Sequence, residues 1–274
     1  MSTEVNRALW DERAPVHAAS PDYGVERFAR DPEHLSQTVR FDLPRLGDIA
    51  GLDVVHLQCH IGTDTVSLAR LGARRTIGLD FSGASVAEAR RLAELAGAAV
   101  DVVEGDVHDA VDLLGREAYD LVYTGIGALC WLPDVHRWAQ VVAGLLRPGG
   151  RLFLREASPV LWAVDEERED DLLVLRYPYR QTPDPMEFVE EGTYVDTDHV
   201  FEHRRSQSWN HGTGEIVTAV LEAGLELTML VEHESVPWQA IRGQMVQGEL
   251  GEWRLRERPE RLPLTYTLQA VKRA

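Results

Sequence analysis

Short apolar runs alternate with helical patterns through the middle of the chain. Five of these runs lie at residues 53–59, 75–80, 99–104, 120–124 and 150–155. Apolar runs of this length are typical of strands that are buried on both faces of a sheet. Between the last two runs, apolar residues recur at helical spacing from Val135 to Leu146, and Pro148-Gly149-Gly150 ends the pattern. The alternation predicts an α/β domain with a mostly parallel sheet and helices on both faces.

The segments outside this core predict four regions. Residues 1–50 form an N-terminal helical lid, with helices at 4–19 and 31–48, and residues 51–160 form the core. Residues 161–210 form an inserted antiparallel cap, with strands at 172–179 and 193–203. Residues 211–274 complete the core with a helix at 213–223 and strands at 226–234 and 265–272.

The amino-acid composition argues against several classes of protein and of binding partner. The 28 basic and 45 acidic residues give a net charge of −17, which repels a nucleic acid. We find no apolar stretch near the roughly 20 residues that span a bilayer, and residues 1–10 lack the pattern of a secretory signal. Two cysteines, Cys59 and Cys130, cannot build a disulfide framework. We therefore expect a cytoplasmic protein without nucleic-acid or membrane partners, and a homodimer is compatible with the sequence.

The first predicted strand leads into a turn with the geometry of a nucleotide site. Gly62 lies in this turn, and Asp80 closes the next strand, where a carboxylate can accept hydrogen bonds from ribose hydroxyls. A dinucleotide site needs Gly-x-Gly-x-x-Gly to expose amides to a pyrophosphate, but Gln58 and His60 stand where small residues are expected. The turn therefore favours a nucleoside ligand without a pyrophosphate.

From Asp53 to the C-terminus, the order and spacing of four segments resemble a class I S-adenosylmethionine (SAM)-dependent methyltransferase of the small-molecule type. The segments are 54–62, Gly78-Leu-Asp80-Phe81-Ser82, Glu104-Gly-Asp106-Val107, and 119–123 followed by the Leu-Leu-Arg-Pro-Gly-Gly run at 145–150. In the first segment, His56 stands where the family usually has an acid, and Gln58 and His60 replace two glycines. The resemblance implies a Rossmann-like, seven-stranded, mostly parallel sheet and SAM as the cofactor.

The resemblance also assigns the cofactor residues. Asp80 would bind the ribose hydroxyls and Asp106 the adenine amino group. The other implied contacts are Gln58, Cys59, His60 and Gly62 beside the methionine part, Phe81, Ser82 and Val107 around the adenine, and Tyr123, Thr124 and Gly125 below the sulfonium.

Candidate catalytic and substrate residues follow from position and chemistry. His211 lies between the cap and a core helix, and Glu156 follows the fifth strand at the ligand-binding edge, so either side chain can act as a base or orient the acceptor. An ion pair between Glu156 and an arginine such as Arg13 is the alternative. An aromatic wall for the substrate is expected from Trp10, Tyr23, Trp131 and Trp209.

We expect no metal site, although His56 with His60 and His199 with His203 have the spacing of a helical zinc site. Both pairs lie in extended or loop segments, where residues four apart are roughly 13 Å from each other.

The sequence thus favours transfer of a methyl group from SAM to a small, apolar or aromatic acceptor through O-, N-, S- or C-methylation. Two alternatives stay open. One is a non-catalytic SAM-binding or interaction protein with an altered first motif. The other is an NAD-dependent oxidoreductase that uses the same Asp80.

Overall fold

The computed structural model describes residues 2–168 and 170–273 of the chain. The strands in chain order are β1 (Asp53–Leu57), β2 (Arg75–Asp80), β3 (Val100–Glu104), β4 (Tyr119–Thr124), β5 (Leu146–Ala157), β6 (Met186–Val189), β7 (Arg205–Ser208), β8 (Leu225–His233), β9 (Met245–Gln247), β10 (Trp253–Leu255) and β11 (Thr265–Lys272). The helices are α1 (Ser2–Ala19), α2 (Val25–Arg30), α3 (Gln37–Leu46), α4 (Thr63–Arg70), α5 (Gly83–Ala96), α6 (Ala110–Leu114), α7 (Val135–Leu145), α8 (Pro159–Ala163) and α9 (Thr213–Glu222).

Seven strands form one sheet in the order β3-β2-β1-β4-β5-β11-β8. The first five strands in this order are parallel, and β11 runs antiparallel to both β5 and β8. The carboxyl ends of the parallel strands therefore meet at one edge of the sheet, where ligands of this class of fold bind. The predicted seven-stranded, mostly parallel α/β fold is confirmed.

Capping residues mark the ends of two core helices, α5 and α7. The hydroxyl of Ser82 accepts a hydrogen bond from the amide of Ser85 at the start of α5, and Gly97 ends this helix with a φ of 59°. Asp134 caps α7 in the same way, and Trp138 in that helix is fully buried against the sheet. The loops before α5 and α7 follow β2 and β4, so they lie at the ligand-binding edge.

The N-terminal region contains three helices in the described part of the chain, where two were predicted. The second predicted helix begins at Gln37 rather than at residue 31, and α2 precedes it. Asp31 is extended, as expected for a residue that precedes a proline, and the hydroxyl of Ser36 caps α3 by accepting from the amide of Val39.

The cap is antiparallel, but the prediction of its strands at 172–179 and 193–203 is wrong. The strands that pair are β6 and β7. The apolar run at 172–179 makes only a single bridge, between Val164 and Leu175, and Leu175 is largely exposed. Its backbone hydrogen bonds go to the short segment at 163–165: the amides of Arg176 and Tyr177 donate to the carbonyl of Ala163, and the carbonyl of Val174 accepts from the amide of Asp165. Strand propensity alone therefore does not decide its structure.

Asn6 is one of the side chains that join the first helix to the cap. Asn6 donates a hydrogen bond from Nδ2 to the carbonyl of Gln207 over 2.8 Å, and its Oδ1 accepts from the amide of Gln207 over 2.9 Å.

The segment between β8 and β11 contains a further short antiparallel pair, β9 and β10, which the sequence pattern did not predict.

Candidate active site

A cleft of about 350 Å³ lies at the carboxyl ends of β1, β2 and β3. It is lined by five of the predicted cofactor residues and by one predicted substrate residue, namely Gln58, Asp80, Phe81, Asp106, Val107 and Trp131. These residues are up to 73 positions apart in the sequence (58 to 131), and the sheet topology brings them together. Asn6, His108 and Arg137 also line the cleft and were not predicted.

Asp80 is the most constrained of these side chains. Its Oδ2 accepts a hydrogen bond from the amide of His60 over 2.8 Å, and its Oδ1 accepts from the amide of Ser82 over 2.9 Å. Burial raises the pKa of Asp80 to about 6, although both amide hydrogen bonds oppose this shift. Each carboxylate oxygen has a second acceptor site, so Asp80 can still accept from two ribose hydroxyls.

In the turn after β1, Gln58 and His60 occupy the positions of the two glycines that the family usually has. Gln58 and His60 have φ angles of 55° and 49°, in the left-handed region that favours glycine. Gln58 Nε2 donates to the carbonyl of Ala128 over 2.9 Å, whereas Gln58 Oε1 is buried and has no hydrogen-bond partner among the described residues. A buried acceptor without a partner is costly unless a ligand supplies the donor.

Packing explains why a glycine stands at position 62 and a cysteine at position 59. Gly62 has a φ of 79°, and a Cβ at this position would lie 2.8 Å from the Cβ of Ala89. The glycine therefore allows α5 to pack closely against the turn, where the sequence suggested that it leaves room for a ligand. Cys59 is buried, and its Sγ fills the space beside Gly78.

Asp106 and Ser82, two of the predicted contacts of the adenosine part, lie in different surroundings. Asp106 Oδ1 accepts from the amide of His108 and lies 3.0 Å from His108 Nδ1, and this side-chain hydrogen bond lowers the pKa of Asp106. Ser82 does not line the cleft. Its hydroxyl donates to Asp11 Oδ1 over 2.6 Å and thereby joins α1 to the start of α5.

The side chains of Tyr123 and Thr124 do not reach the cleft. The hydroxyl of Tyr123 donates to Asp42 Oδ2 over 2.6 Å, and its ring stacks on Phe153 in the core below α3. Thr124 is fully buried. Gly125, the next residue, borders a different space, because a Cβ there would lie 3.4 Å from both Asp64 Oδ2 and His56 Nε2.

Three of the four predicted aromatic residues gather around His60. Trp10 lies 5.0 Å from the His60 ring and 5.4 Å from Trp131, and Tyr23 lies 5.7 Å from His60, measured between ring centroids. His17 completes this cluster and was not predicted as a site residue. A signal for it exists in the sequence, because Trp10 and His17 are seven residues apart and therefore share a face of α1.

The cluster is tied together by neutral histidines. His17 Nδ1 lies 2.9 Å from His60 Nε2, and His17 Nε2 lies 2.7 Å from the hydroxyl of Thr193. Burial lowers the pKa of His17 to about 2 and that of His60 to about 3, so both imidazoles are uncharged at neutral pH. Tyr194 adds a second hydroxyl, which is hydrogen-bonded to that of Tyr23.

Tyr194 brings the cap to the same cluster. Its ring lies 4.7 Å from the His17 ring and 6.5 Å from the Tyr23 ring, measured between centroids. Its side chain is 52% exposed, so this side of the cluster is open to solvent.

His211, Glu156 and Trp209 line a separate cavity of about 10 Å³, which has room for about one water molecule. Glu156 accepts hydrogen bonds from the amides of residues 127, 128, 129 and 157, so its acceptor sites hold the loop after β4. His211 Nε2 donates to the carbonyl of Leu132 over 2.8 Å. Neither side chain lines the larger cleft, and their catalytic role stays a prediction.

The expected alternative partner of Glu156 is also engaged elsewhere. Arg13 forms an ion pair with Glu190 over 2.6 Å and donates to the carbonyl of Gly192. This arginine therefore joins α1 to the cap.

Neither a metal cluster nor a membrane span is found in the described part of the chain. No group of three or more His, Cys, Asp or Glu side chains in residues 2–168 and 170–273 is arranged to hold a metal ion. Over the same residues, no helix is long and apolar enough to cross a bilayer.

Comparison with known proteins places the site in a family. The sequence pattern described as "Methyltransferase domain" matches residues 55–152. The ubiquinone biosynthesis O-methyltransferase of Methylobacterium sp. (strain 4-46) is 30% identical over 156 residues, which make up 53% of this chain. The match spans only 56% of that relative's length.

Solved structures share the fold at low sequence identity. A SAM-dependent methyltransferase from Mesorhizobium loti superposes with a TM-score of 0.59 at 20% identity, over 85% of this chain and 95% of that one. The magnesium protoporphyrin IX methyltransferase of Synechocystis PCC 6803, with bound S-adenosylhomocysteine (SAH), superposes with a TM-score of 0.51 at 18% identity, over 93% and 86% of the two chains. The seven-stranded fold that the resemblance implied is confirmed. Residues 55–152 match the methyltransferase domain family, and the chain shares the fold of these solved methyltransferases.

Proposed function

We propose that this protein transfers the methyl group of SAM to a small, apolar or aromatic acceptor. The observation that carries the proposal is the cleft in which Asp80, Asp106 and the unpartnered Gln58 Oε1 meet. Two carboxylates and an amide carbonyl are acceptors, and they match the hydroxyls and amino groups of SAM. Two of the three glycines that would expose amides to a pyrophosphate are replaced at this turn, which argues against NAD.

The residues present fit the adenosyl cofactor. Asp80 would hold the ribose hydroxyls, Asp106 and Val107 the adenine, and Gln58 a donor of the cofactor through its free carbonyl oxygen. SAM supplies an electrophilic methyl group on a sulfonium. The protein's task is then to hold the acceptor in line with that methyl group and to exclude water.

The cluster of aromatic and imidazole rings between the lid and the cap is the proposed acceptor site. Trp10, Tyr23, Tyr194 and Trp131 provide aromatic surface, whose negative ring faces also favour a sulfonium. His17 and His60 are uncharged and serve better as hydrogen-bond partners than as strong bases, because their pKa values lie far below neutrality. This supports catalysis mainly by positioning, with the hydroxyls of Tyr23 and Tyr194 available to orient a polar group of the acceptor.

The nature of the acceptor follows from charge and from the curated relative. The net charge of −17 disfavours nucleic acid. The relative is named an O-methyltransferase, so hydroxylated aromatic molecules come first in an acceptor screen, followed by N-, S- and C-acceptors.

The free cysteines Cys59 and Cys130 are compatible with a reducing, cytoplasmic compartment. The homodimer stays a prediction.

Calorimetric titration with SAM, SAH and NAD tests the cofactor. We expect the two adenosyl ligands to bind and NAD to fail. Binding of NAD alone would favour the oxidoreductase and would contradict the proposal.

An acceptor screen that detects SAH formation tests the enzyme activity. Production of SAH with any acceptor supports the methyltransferase. Tight SAM binding without SAH production across the screen would favour a non-catalytic SAM-binding protein.

A further inference from the structure

Trp131, in the loop after β4, lies between the cofactor cleft and the lid. It lines the cleft, and its ring lies 5.4 Å from the ring of Trp10 in an edge-to-face arrangement. Trp10 in turn lies 5.0 Å from the ring of His60. A displacement of Trp131 would therefore alter both the cleft proposed for the cofactor and the ring cluster proposed for the acceptor.

The loop itself holds the backbone of Trp131 only weakly. Residues 129–131 form a single turn of 3₁₀ helix, in which the amide of Trp131 donates to the carbonyl of Ala128 over 3.4 Å. One such turn has few internal hydrogen bonds, and their geometry is poor. Glu156 fixes the amides of residues 127–129 but not that of Trp131. Contacts from outside the loop therefore decide where Trp131 lies.

Two contacts from residues 209–211 bracket Trp131. The amide of Trp209 donates to the carbonyl of Cys130 over 2.8 Å, and His211 Nε2 donates to the carbonyl of Leu132 over 2.8 Å. These carbonyls belong to the residues directly before and after Trp131. The segment at 209–211 thus fixes the backbone on both sides of the tryptophan.

The imidazole of His211 makes one hydrogen bond among the described residues. The carbonyl of Leu132 can only accept, so Nε2 carries the hydrogen. His211 Nδ1 is buried without a hydrogen-bond partner in the same part of the chain, and Glu215 Oε1 lies 3.8 Å from it. The polar contact of this buried ring is therefore directed at the loop that carries Trp131.

The segment at 209–211 is anchored to the core and follows β7 of the cap directly. Trp209, Asn210 and His211 are all buried. Asn210 Nδ2 donates to the carbonyl of Pro159 over 2.7 Å and to that of Pro178 over 2.9 Å. A segment held in this way can fix a neighbouring loop.

We propose that His211 is a positioning residue that holds Trp131 in the cofactor cleft through the carbonyl of Leu132. The inference rests on the proposed function, because the position of Trp131 matters for methyl transfer only if the cleft binds SAM. Removal of the imidazole would leave a carbonyl of a buried residue without its donor, which is costly. The loop would then move to restore a hydrogen bond, and Trp131 would move with it.

Fluorine NMR of the protein labelled with 5-fluorotryptophan reports on the surroundings of Trp131. The chain has seven tryptophans, and the resonance that is lost in Trp131→Phe identifies this one. In the unchanged protein, SAH should shift the Trp131 resonance. In His211→Leu, this resonance should already be shifted without a ligand, and calorimetry should show an affinity for SAH that is about three- to tenfold weaker.

His211→Gln is the rescue variant, since a glutamine amide can donate to the carbonyl of Leu132 from nearly the position of Nε2. It should restore the Trp131 resonance and bring the affinity for SAH to within about twofold of the unchanged protein. His203→Leu is the matched control, because it removes an imidazole from an exposed position of the cap. This control should change neither the resonance nor the affinity.

A role of His211 in stability alone gives a different result. Urea unfolding would then show a less stable His211→Leu, while the Trp131 resonance and the affinity for SAH stayed unchanged. That result would overturn the proposal. Equal effects of the leucine and glutamine variants would also overturn it, because packing of the ring and not its hydrogen bond would then be responsible.

A measurement on the unchanged protein covers the case in which His211→Leu does not fold. If the His211 hydrogen bond favours SAH binding, SAH must favour that hydrogen bond to the same extent, because coupling between two equilibria is reciprocal. In the protein labelled with ¹⁵N-histidine, the Nε2 hydrogen of His211 should therefore exchange with solvent about three- to tenfold more slowly when SAH is saturating. An unchanged exchange rate would overturn the proposal.

The outcome also distinguishes this inference from the proposed function. If the folded, unchanged protein binds no SAH, the proposed function fails, and the Trp131 resonance of ligand-free His211→Leu still decides whether His211 positions the loop. If SAH binds and neither the resonance nor the affinity depends on His211, the proposed function stands and the positioning role is refuted.

Discussion

The backbone amide of His60 donates a hydrogen bond to Asp80 Oδ2 over 2.8 Å. This contact joins the turn after β1 to the tip of β2, and it sets the left-handed backbone of His60 beside the carboxylate proposed to bind ribose. The same histidine side chain contacts His17 in the lid. One residue therefore connects the cofactor cleft with the helix that covers it.

Removal of the Asp80 charge should weaken cofactor binding. We expect Asp80→Asn to reduce the affinity for SAH by about 1–3 kcal/mol, since the ribose hydroxyls lose a charged acceptor. Calorimetry checks this, and circular dichroism verifies folding. Asp101→Asn is the control, because it removes the same charge from an exposed position on β3. Unchanged affinity in a folded variant would refute the assignment of Asp80.

Cofactor binding should weaken in acid. The raised pKa of Asp80, about 6, means that its carboxylate is present only above that pH. Below pH 6 we expect the affinity for SAH to fall by up to about tenfold per pH unit, as Asp80 becomes protonated. Titrations between pH 5 and 8 measure this slope. Asp80→Asn should flatten it, and an equally steep slope in that variant would point to another group.

Neutral buried histidines should make folding sensitive to acid. The pKa of His60 is lowered to about 3, so below about 6.5 the unfolded chain binds a proton that the folded protein excludes. Stability is therefore lost as the pH falls from about 6.5 towards 3, by about 1.4 kcal/mol per pH unit for this residue. Urea unfolding at several pH values should show a slope that is smaller by this amount in His60→Gln. Parallel curves for the two proteins would contradict the prediction.

Glu156 should matter for stability more than for binding. Glu156→Gln places an amide group among four backbone donors, so we expect a loss of about 1.5–3 kcal/mol in the free energy of unfolding. Glu94→Gln, at an exposed position of α5, is the control. If Glu156→Gln abolished methyl transfer without lowering the free energy of unfolding, the result would contradict this prediction and support Glu156 as a catalytic base.

The sheet could be predicted because its strands are buried on both faces and separated by well-capped helices. The strands of the cap could not be predicted, because the apolar run at 172–179 is mostly exposed, whereas the wholly polar strand β7 pairs with β6. In a short antiparallel pair, the availability of a neighbour decides which segment becomes a strand.

The meeting of candidate residues in one cleft could be predicted where backbone topology alone determines their position. Gln58, Asp80 and Asp106 lie at or just after the ends of parallel strands, so the sheet brings them together. Side-chain direction and competing hydrogen bonds could not be predicted. Tyr123 points into the core, where its hydroxyl donates to Asp42, and Glu156 is engaged by backbone amides.

The paired hydrogen bonds between Asn6 and Gln207 have a consequence for solubility. The side-chain amide of Asn6 presents a donor and an acceptor in the arrangement of a peptide group, so it occupies the outer edge of β7 as a neighbouring strand would. A free edge strand is a template for pairing with another molecule. The first helix thus shields the cap against edge-to-edge aggregation, and shortening the chain from its N-terminus would expose that edge.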